Sequence, residues 1–244
     1  MLVHHGLVGG ATLGAPWPEL GEKNGLEWIA IERPGYGATP PMEMVRISDW
    51  CDLITPVLDA LGITGSFAAV GLSAGGPYAY ALAAGLPERV HRVAVVSGVP
   101  FLAAPGILEA YSAEARAAYA RYAVGDDAAL RDEFRAFCTA MAEKFRDDYD
   151  SSAVLSAILS YDAAGPAREA RLQAKDWGFS QNAVTCPVDI WHSTADELVP
   201  FPAVQLSAQG LSDATLHEQV EASHFPSETS LRQMAQLLSA HRPS

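Results

Sequence analysis

Ser73 stands in Gly71-Leu72-Ser73-Ala74-Gly75, with the apolar run Phe67–Val70 before it and an Ala- and Leu-rich run after it. A serine hydroxyl is a poor nucleophile near neutrality, so it does chemistry only where a base and an orienting acid are brought to it. The G-x-S-x-G pattern also arises by chance, and what discriminates is its context: a strand directly before and a helix directly after. Both are predicted here, the helix stopping near Gly85 and Pro87. Flanking glycines have a mechanical reason. The serine at so sharp a turn takes a strained backbone conformation, and side chains at Gly71 or Gly75 would collide with the neighbouring strand and helix. The same turn sets the Ala74 amide at a helix N-terminus, where anionic charge is favoured.

The base is sought among seven histidines. His224 follows the last candidate strand and precedes the last helix, which places it on a loop where strand C-termini gather. His192 ends its own strand, His4 and His5 belong to the first loop, and His91, His217 and His241 read as surface or strand-edge residues. For the acid, Asp196 lies four residues after His192 and before a helix, on the same sheet edge. It would accept the other imidazole N–H, holding the tautomer and stabilising the imidazolium. Asp189 is expected to point into the strand's packing, and Asp196 is favoured over its neighbour Glu197. The expected set is therefore Ser73 as nucleophile, His224 as general base and then acid, and Asp196 as orienting acid.

These residues need a scaffold that gathers strand ends. Apolar runs at "MLV", "LEWIAI" (26–31), "FAAV" (67–70), "HRVAVVS" (91–97), "CPVDIWH" (186–192) and "ATLHEQV" (214–220) are candidate strands. Helical spacing over Ile47–Leu61, Gly76–Leu86, Val199–Gln209 and Glu228–His241 alternates with them, which argues an α/β fold with a doubly wound, mostly parallel sheet. The strands lack polar alternation, as expected when both faces are covered. Between Phe101 and Trp177 the rhythm changes to successive helical patterns. Leu130, Phe134, Phe137, Met141 and Phe145 share one helical face there, read as packing against the main domain. The domain division is thus 1–100 and 178–244 for the core and 101–177 for a helical insertion.

Composition narrows the classes. The chain has 244 residues, 49% of them hydrophobic and 18% charged, the balance of a globular protein with one large core. With 29 acidic against 16 basic residues the formal charge is −13. Such a surface repels phosphate backbones and anionic lipids, which argues against nucleic acid and membrane as partners. Three widely spaced cysteines offer neither a disulfide framework nor a metal site. Without a signal-like N-terminus or a membrane-length apolar run, a cytoplasmic location is expected.

Taken together, the chain resembles the α/β-hydrolase superfamily. "HHGLVGG" resembles the family's H-G loop, "IERPGYGATP" its D-R-P-G segment, "GLSAGGPYAYALAAGLPERV" its elbow and helix, "IWHSTADELVP" its acid loop and "SHF" its histidine loop. The resemblance covers nearly the whole chain. It implies an oxyanion hole from the backbone amides of Leu7 and Ala74. It also implies that the insertion is a cap over the site, with Trp177 and Phe179 as substrate-binding residues near its return to the sheet. Three departures bear on pocket shape: Leu7-Val8 where many members have a small residue and Pro, Glu32 for Asp, and Ser193 for Gly. Arg33 and Glu32 are read as a structural ion pair beside the site. The family normally has two strands before the loop that here begins at His4. The expected sheet lacks them, with order 4-3-5-6-7-8 in the family's strand labels, either because the chain lacks them or because its start was assigned too far downstream. "LEWIAI" is then an open edge through which a homodimer could form.

The functional expectation is a serine hydrolase acting on a small, apolar ester or lactone through an acyl-enzyme, with a small-molecule substrate and no metal or organic cofactor. Amide or peptide hydrolysis, carbon–carbon bond hydrolysis and acyl transfer use the same triad. A non-catalytic ligand-binding protein on a hydrolase scaffold is the alternative of another class.

Overall fold

The computed structural model describes residues 1–144, 151–219 and 224–242. In chain order the elements are β1 (Leu2–His4), α1 (Trp17–Asn24), β2 (Ile29–Ile31), α2 (Trp50–Ala60), β3 (Phe67–Leu72), α3 (Gly76–Gly85), β4 (Val90–Val96), α4 (Ala113–Val124), α5 (Asp127–Lys144), α6 (Ser151–Leu159), α7 (Ala164–Gln173), β5 (Val188–Ser193), α8 (Phe201–Gln209), β6 (Ala214–Gln219) and α9 (Glu228–Ala240). The strands form one sheet ordered β2-β1-β3-β4-β5-β6, with every pairing parallel among the described residues. This is the doubly wound α/β architecture, in the order expected. The winding reverses beside β1, and the crevice beyond the carboxyl ends of β1 and β3 is where such sheets hold ligands.

Alternation along the strands explains their continuous apolar character. In β4, Val93 and Val95 enter one core with Ile54, Leu58, Leu82 and Val204 of α2, α3 and α8. Ala94 and Val96 enter the other with Leu20 of α1 and Met234 and Leu238 of α9. Both faces are covered, so neither set of positions has a polar requirement. Each fully buried Val or Leu contributes roughly 1.5–3 kcal/mol relative to exposure.

Several boundaries differ from those read in the sequence. The run 26–31 contributes only Ile29–Ile31, since β1 offers just three residues for it to pair with. That edge strand is short, and short edges are poor templates for a second chain. Helix α1 was not assigned from sequence. Its eight residues carry a proline in the first turn, and the chain leaves it through Gly25 at φ +62. The helix expected from Ile47 begins at Trp50, because Ile47–Asp49 forms a 3₁₀ turn in which Asp49 accepts the amides of Val45 and Arg46. In the expected strand 214–220, Val220 lies outside the described residues, as do Phe145 of the helical stripe and Ser223 of "SHF".

Helices α4 to α7 fill the crossing from β4 to β5. Leu130 and Phe134 of α5 pack against Ala167 and Ala170 of α7. Helix α7 is entered through three successive non-glycine residues at positive φ, Tyr161, Asp162 and Ala163. No described helix is long and apolar enough to cross a membrane.

Candidate active site

Ser73 sits immediately after β3 at φ +49, a backbone region that side-chain-bearing residues rarely occupy. Two glycines make the turn sterically feasible. A Cβ on Gly71 would lie 2.6 Å from Gly76 Cα at the start of α3, and one on Gly75 would lie 2.2 Å from the carbonyl oxygen of His4. The elbow is thus wedged between its own helix and β1, as the sequence implied, and the Ser73 hydroxyl is left partly exposed.

The three expected side chains meet in one hydrogen-bonded line. His224 Nε2 lies 2.8 Å from Ser73 Oγ, and His224 Nδ1 lies 2.8 Å from Asp196 Oδ2. Asp196 accepts the Nδ1–H, so the Nε2 lone pair faces the serine hydroxyl. Asp196 Oδ1 accepts the amides of Leu198 and Val199, at 2.8 and 2.9 Å. Burial opposes ionisation of Asp196. The hydrogen bond and charge of His224, with those two amides, outweigh it and hold the carboxyl below its ordinary value. Glu197, the weighed alternative, is exposed. His192 is also present: its Nε2 donates to Val199 O at 2.9 Å and approaches Asp196 Oδ2 at 3.3 Å. Burial lowers its pKa, keeping it neutral.

Above this line lies a cavity of about 410 Å³. Gly6, Leu7 and Val8 of the first loop, Ser73 and Ala74 of the elbow, and His224 form its floor. Its walls come from Phe134, Phe137 and Met141 of α5, from Tyr111, Tyr119 and Tyr122, and from Leu198 and Phe225. The stripe on α5 therefore has two duties: Leu130 and Phe134 pack on α7, while Phe134, Phe137 and Met141 present rings and a thioether to the cavity. Its period was visible in the sequence. Its second duty was not, because periodicity gives a face and not what the face meets.

Two expectations are corrected. Trp177 and Phe179 are not among the residues lining this cavity. Trp177 is buried against Phe101, ring centroids 4.9 Å apart, with its indole N–H on Gln173 O, and Phe179 packs on the same Phe101 ring. The returning chain lies against α3, which Gln181–Ala183 contacts, and the Trp177 carbonyl accepts the Ser48 amide. Arg33 does not pair with Glu32. Its Nε donates to Glu169 Oε1 at 2.9 Å, with both side chains fully buried, while Glu32 accepts the Ala38 amide. Glu169 is 136 residues away in sequence, and no motif or spacing links the two.

A family model described as "Alpha/beta hydrolase family" matches residues 1–237. The chain belongs to this family and is an enzyme of the hydrolase type. Among solved structures it is similar to the enol-lactonase from Burkholderia xenovorans LB400, at 17% identity and TM-score 0.68, covering 98% of this chain and 89% of that one. It is also similar to a thermophilic esterase from Thermogutta terrifontis, at 20% identity and TM-score 0.62, covering 98% and 86%. Likenesses at this identity establish the shared fold. Among curated proteins, a homoserine O-succinyltransferase from Methylibium petroleiphilum is 40% identical over 72 residues, 30% of this chain. The match spans 18% of that protein's length.

Proposed function

We propose that the enzyme cleaves a small, uncharged ester or lactone through an acyl-enzyme on Ser73. The observation that carries this reading is the unbroken line Ser73 Oγ, His224 Nε2, His224 Nδ1, Asp196 Oδ2 opening into an apolar cavity. Ser73 Oγ attacks the scissile carbonyl as its proton passes to His224 Nε2, and Asp196 stabilises the imidazolium. The carbonyl oxygen, now an alkoxide, is received by the amides of Leu7 and Ala74. The carbon–oxygen bond to the leaving group breaks, and His224 delivers the proton to the departing alkoxide. Water then repeats the sequence on the acyl-enzyme, releasing the acid and restoring Ser73. Every proton is handled by His224, so these steps call for no further group.

The wall chemistry supports an uncharged substrate. Among the described lining residues the carboxylate is Glu133, whose Oε1 is held by Arg121 and the Tyr122 hydroxyl, and neither Lys nor Arg is present. A substrate carboxylate would find no counter-charge among those described residues. The volume is in the range of small-ligand pockets.

Hydrolysis of p-nitrophenyl esters from acetate to octanoate, by wild type and Ser73→Ala in parallel, tests the reading. Turnover that depends on chain length and is lost in the variant is expected. Equal rates in the two proteins would sink it, and fluorophosphonate labelling would then separate an enzyme of another specificity from a binding protein. The partial match to a succinyltransferase favours a second reading, acyl transfer from the same acyl-enzyme to an alcohol in place of water. Rising ester product at the expense of free acid when homoserine is added would favour it.

A further inference from the structure

The first loop is gripped from below by a sealed polar cluster. Its geometry bears directly on where the Leu7 amide points. His5 Nδ1 donates to the carbonyl of Gly6 at 2.7 Å, and the Arg33 amide donates to His5 Nε2 at 3.4 Å, which fixes one tautomer. Burial and the adjacent Arg33 charge keep His5 neutral, consistent with that tautomer. The Arg33 guanidinium donates through Nη1 to His5 O at 2.7 Å and through Nη2 to Gly6 O at 3.5 Å. In a trans peptide the N–H lies opposite the C=O. With the Gly6 carbonyl turned down onto His5 and Arg33, the N–H of the same peptide unit, that of Leu7, points up toward the cavity.

Arg33 is in turn held by a helix of the inserted segment. Glu169 of α7 accepts Arg33 Nε and Arg168 Nη2, each at 2.9 Å. The Arg33 guanidinium also lies 4.6 Å from the centre of the Tyr78 ring. One turn along the same face, Gln173 reaches the carbonyl of Ala74 at 3.5 Å. The first turn of α7 sits directly on the turn that follows Arg33. A Cβ on Gly35 would lie 2.6 Å from Gly165 N, and one on Gly165 would lie 2.5 Å from the Tyr36 ring. Helix α7 therefore touches both halves of the oxyanion hole, and its approach is fixed by the left-handed turn Tyr161–Ala163, a conformation that persists only where the surroundings enforce it.

We propose that Glu169 is a positioning residue for the Leu7 oxyanion amide, acting through Arg33, so that the seating of α7 sets the rate of the chemical step. This rests on the reading of Ser73 as nucleophile and of Leu7 as an oxyanion donor. Without the carboxylate, the guanidinium loses the partner that aims it at the His5 and Gly6 carbonyls, and the Gly6–Leu7 peptide is free to rotate away from the developing alkoxide. Substrate binding along the walls is untouched, because Glu169 does not line the cavity.

The test is Glu169→Gln, which keeps the shape and removes the charge. Expected is a fall in kcat of about tenfold or more on p-nitrophenyl butyrate with KM held within about threefold. The inhibition constant of a trifluoromethyl ketone, whose adduct with Ser73 carries the oxyanion, should rise by the same factor, with that of the matching methyl ketone unchanged. A kcat equal to wild type overturns the proposal, as does a loss of stability that leaves the ratio of the two ketone constants in place. Should Glu169→Gln fail to fold, the double variant Arg33→Met/Glu169→Met removes both charges together. It should show the same kcat deficit, and wild-type kcat in it overturns the proposal. If the wild type labels with a fluorophosphonate at Ser73 yet turns over no ester, the ester reading fails alone. The present proposal is then decided by labelling rates, slower in Glu169→Gln by the same factor or, if equal, overturned. A wild type that neither turns over nor labels removes both.

Discussion

Two aspartate–histidine pairs link the β5 region to the chain that follows it, and they are alike in almost every local measure. Asp196 with His224 and Asp189 with His217 are each separated by 28 residues, and each pair meets at 2.8 Å. Their surroundings differ. Asp189 lies within β5, its second oxygen is taken by the Arg92 guanidinium, and His217 stacks on Trp191 with ring centroids 4.4 Å apart. Asp196 lies in the loop beyond β5, its second oxygen is taken by two backbone amides, and the far nitrogen of His224 is offered to a serine under a cavity. An Asp–His contact is therefore no sign of chemistry in itself. A position past the strand end, a third group in line and room for a substrate make the difference.

That contrast is most exposed to Asp196→Asn set against Asp189→Asn. The first should lower kcat on order of 10³–10⁴-fold, because an amide neither holds the tautomer nor stabilises the imidazolium. The second should leave steady-state ester kinetics within about twofold. Comparable losses in both would erase the distinction drawn here. Stability should reverse the ranking. Asp189→Asn strands the partly buried Arg92 and should cost about 2–3 kcal/mol in urea unfolding, toward the low end for a broken buried pair because Arg92 retains some solvent.

Acid titration extends the comparison to the buried imidazoles near the site. Burial, with Arg33 nearby, lowers the pKa of His4 to about 3, whereas unfolded histidine titrates near ~6.5. Above the unfolded value neither state is protonated and His4 adds no pH dependence. Between the two values only the unfolded chain takes the proton, so stability falls by about 1.4 kcal/mol per pH unit as pH drops. His5 and His192 shift in the same direction. The depressed Asp196 carboxyl contributes stability that is present above the unfolded value and lost as pH falls through the folded one. Urea unfolding at pH 7, 6 and 5 should show this decline, and a flat profile would mean that these histidines charge in place. The smallest expected effect concerns the wall: Phe134→Ala should move the preferred acyl chain one or two carbons longer, each methylene being worth about 0.8 kcal/mol of burial. An unchanged preference in the ester series would place the acyl chain elsewhere.

The candidate site is more legible in the sequence than its enclosure, for a physical reason. Ser73, Asp196 and His224 each follow a strand, and strand ends converge in a parallel sheet whatever the details of packing. Gly71 and Gly75 announced the elbow because contacts at its own turn and with β1 exclude a side chain. Arg33 gave no hint of Glu169, since pairing across 136 residues depends on how α7 is seated. Trp177 and Phe179 were misplaced for the same reason: an aromatic pair near a chain return is apolar whether it faces substrate or core. Helix α1 escaped notice because "WPELGEKN" is short and largely polar, with Trp17 and Leu20 as its buried apolar side chains.

The separation of 151 positions from Ser73 to His224 also sets a clock. At roughly 5–20 residues per second of synthesis, the serine is made roughly 8–30 s before its base. The elbow, with β1 and β3 on either side of it, can take shape while the rest of the chain is still being translated. Under the proposed mechanism Ser73 would carry an ordinary, unactivated hydroxyl throughout that interval, and ester cleavage would begin only once His224 is in place.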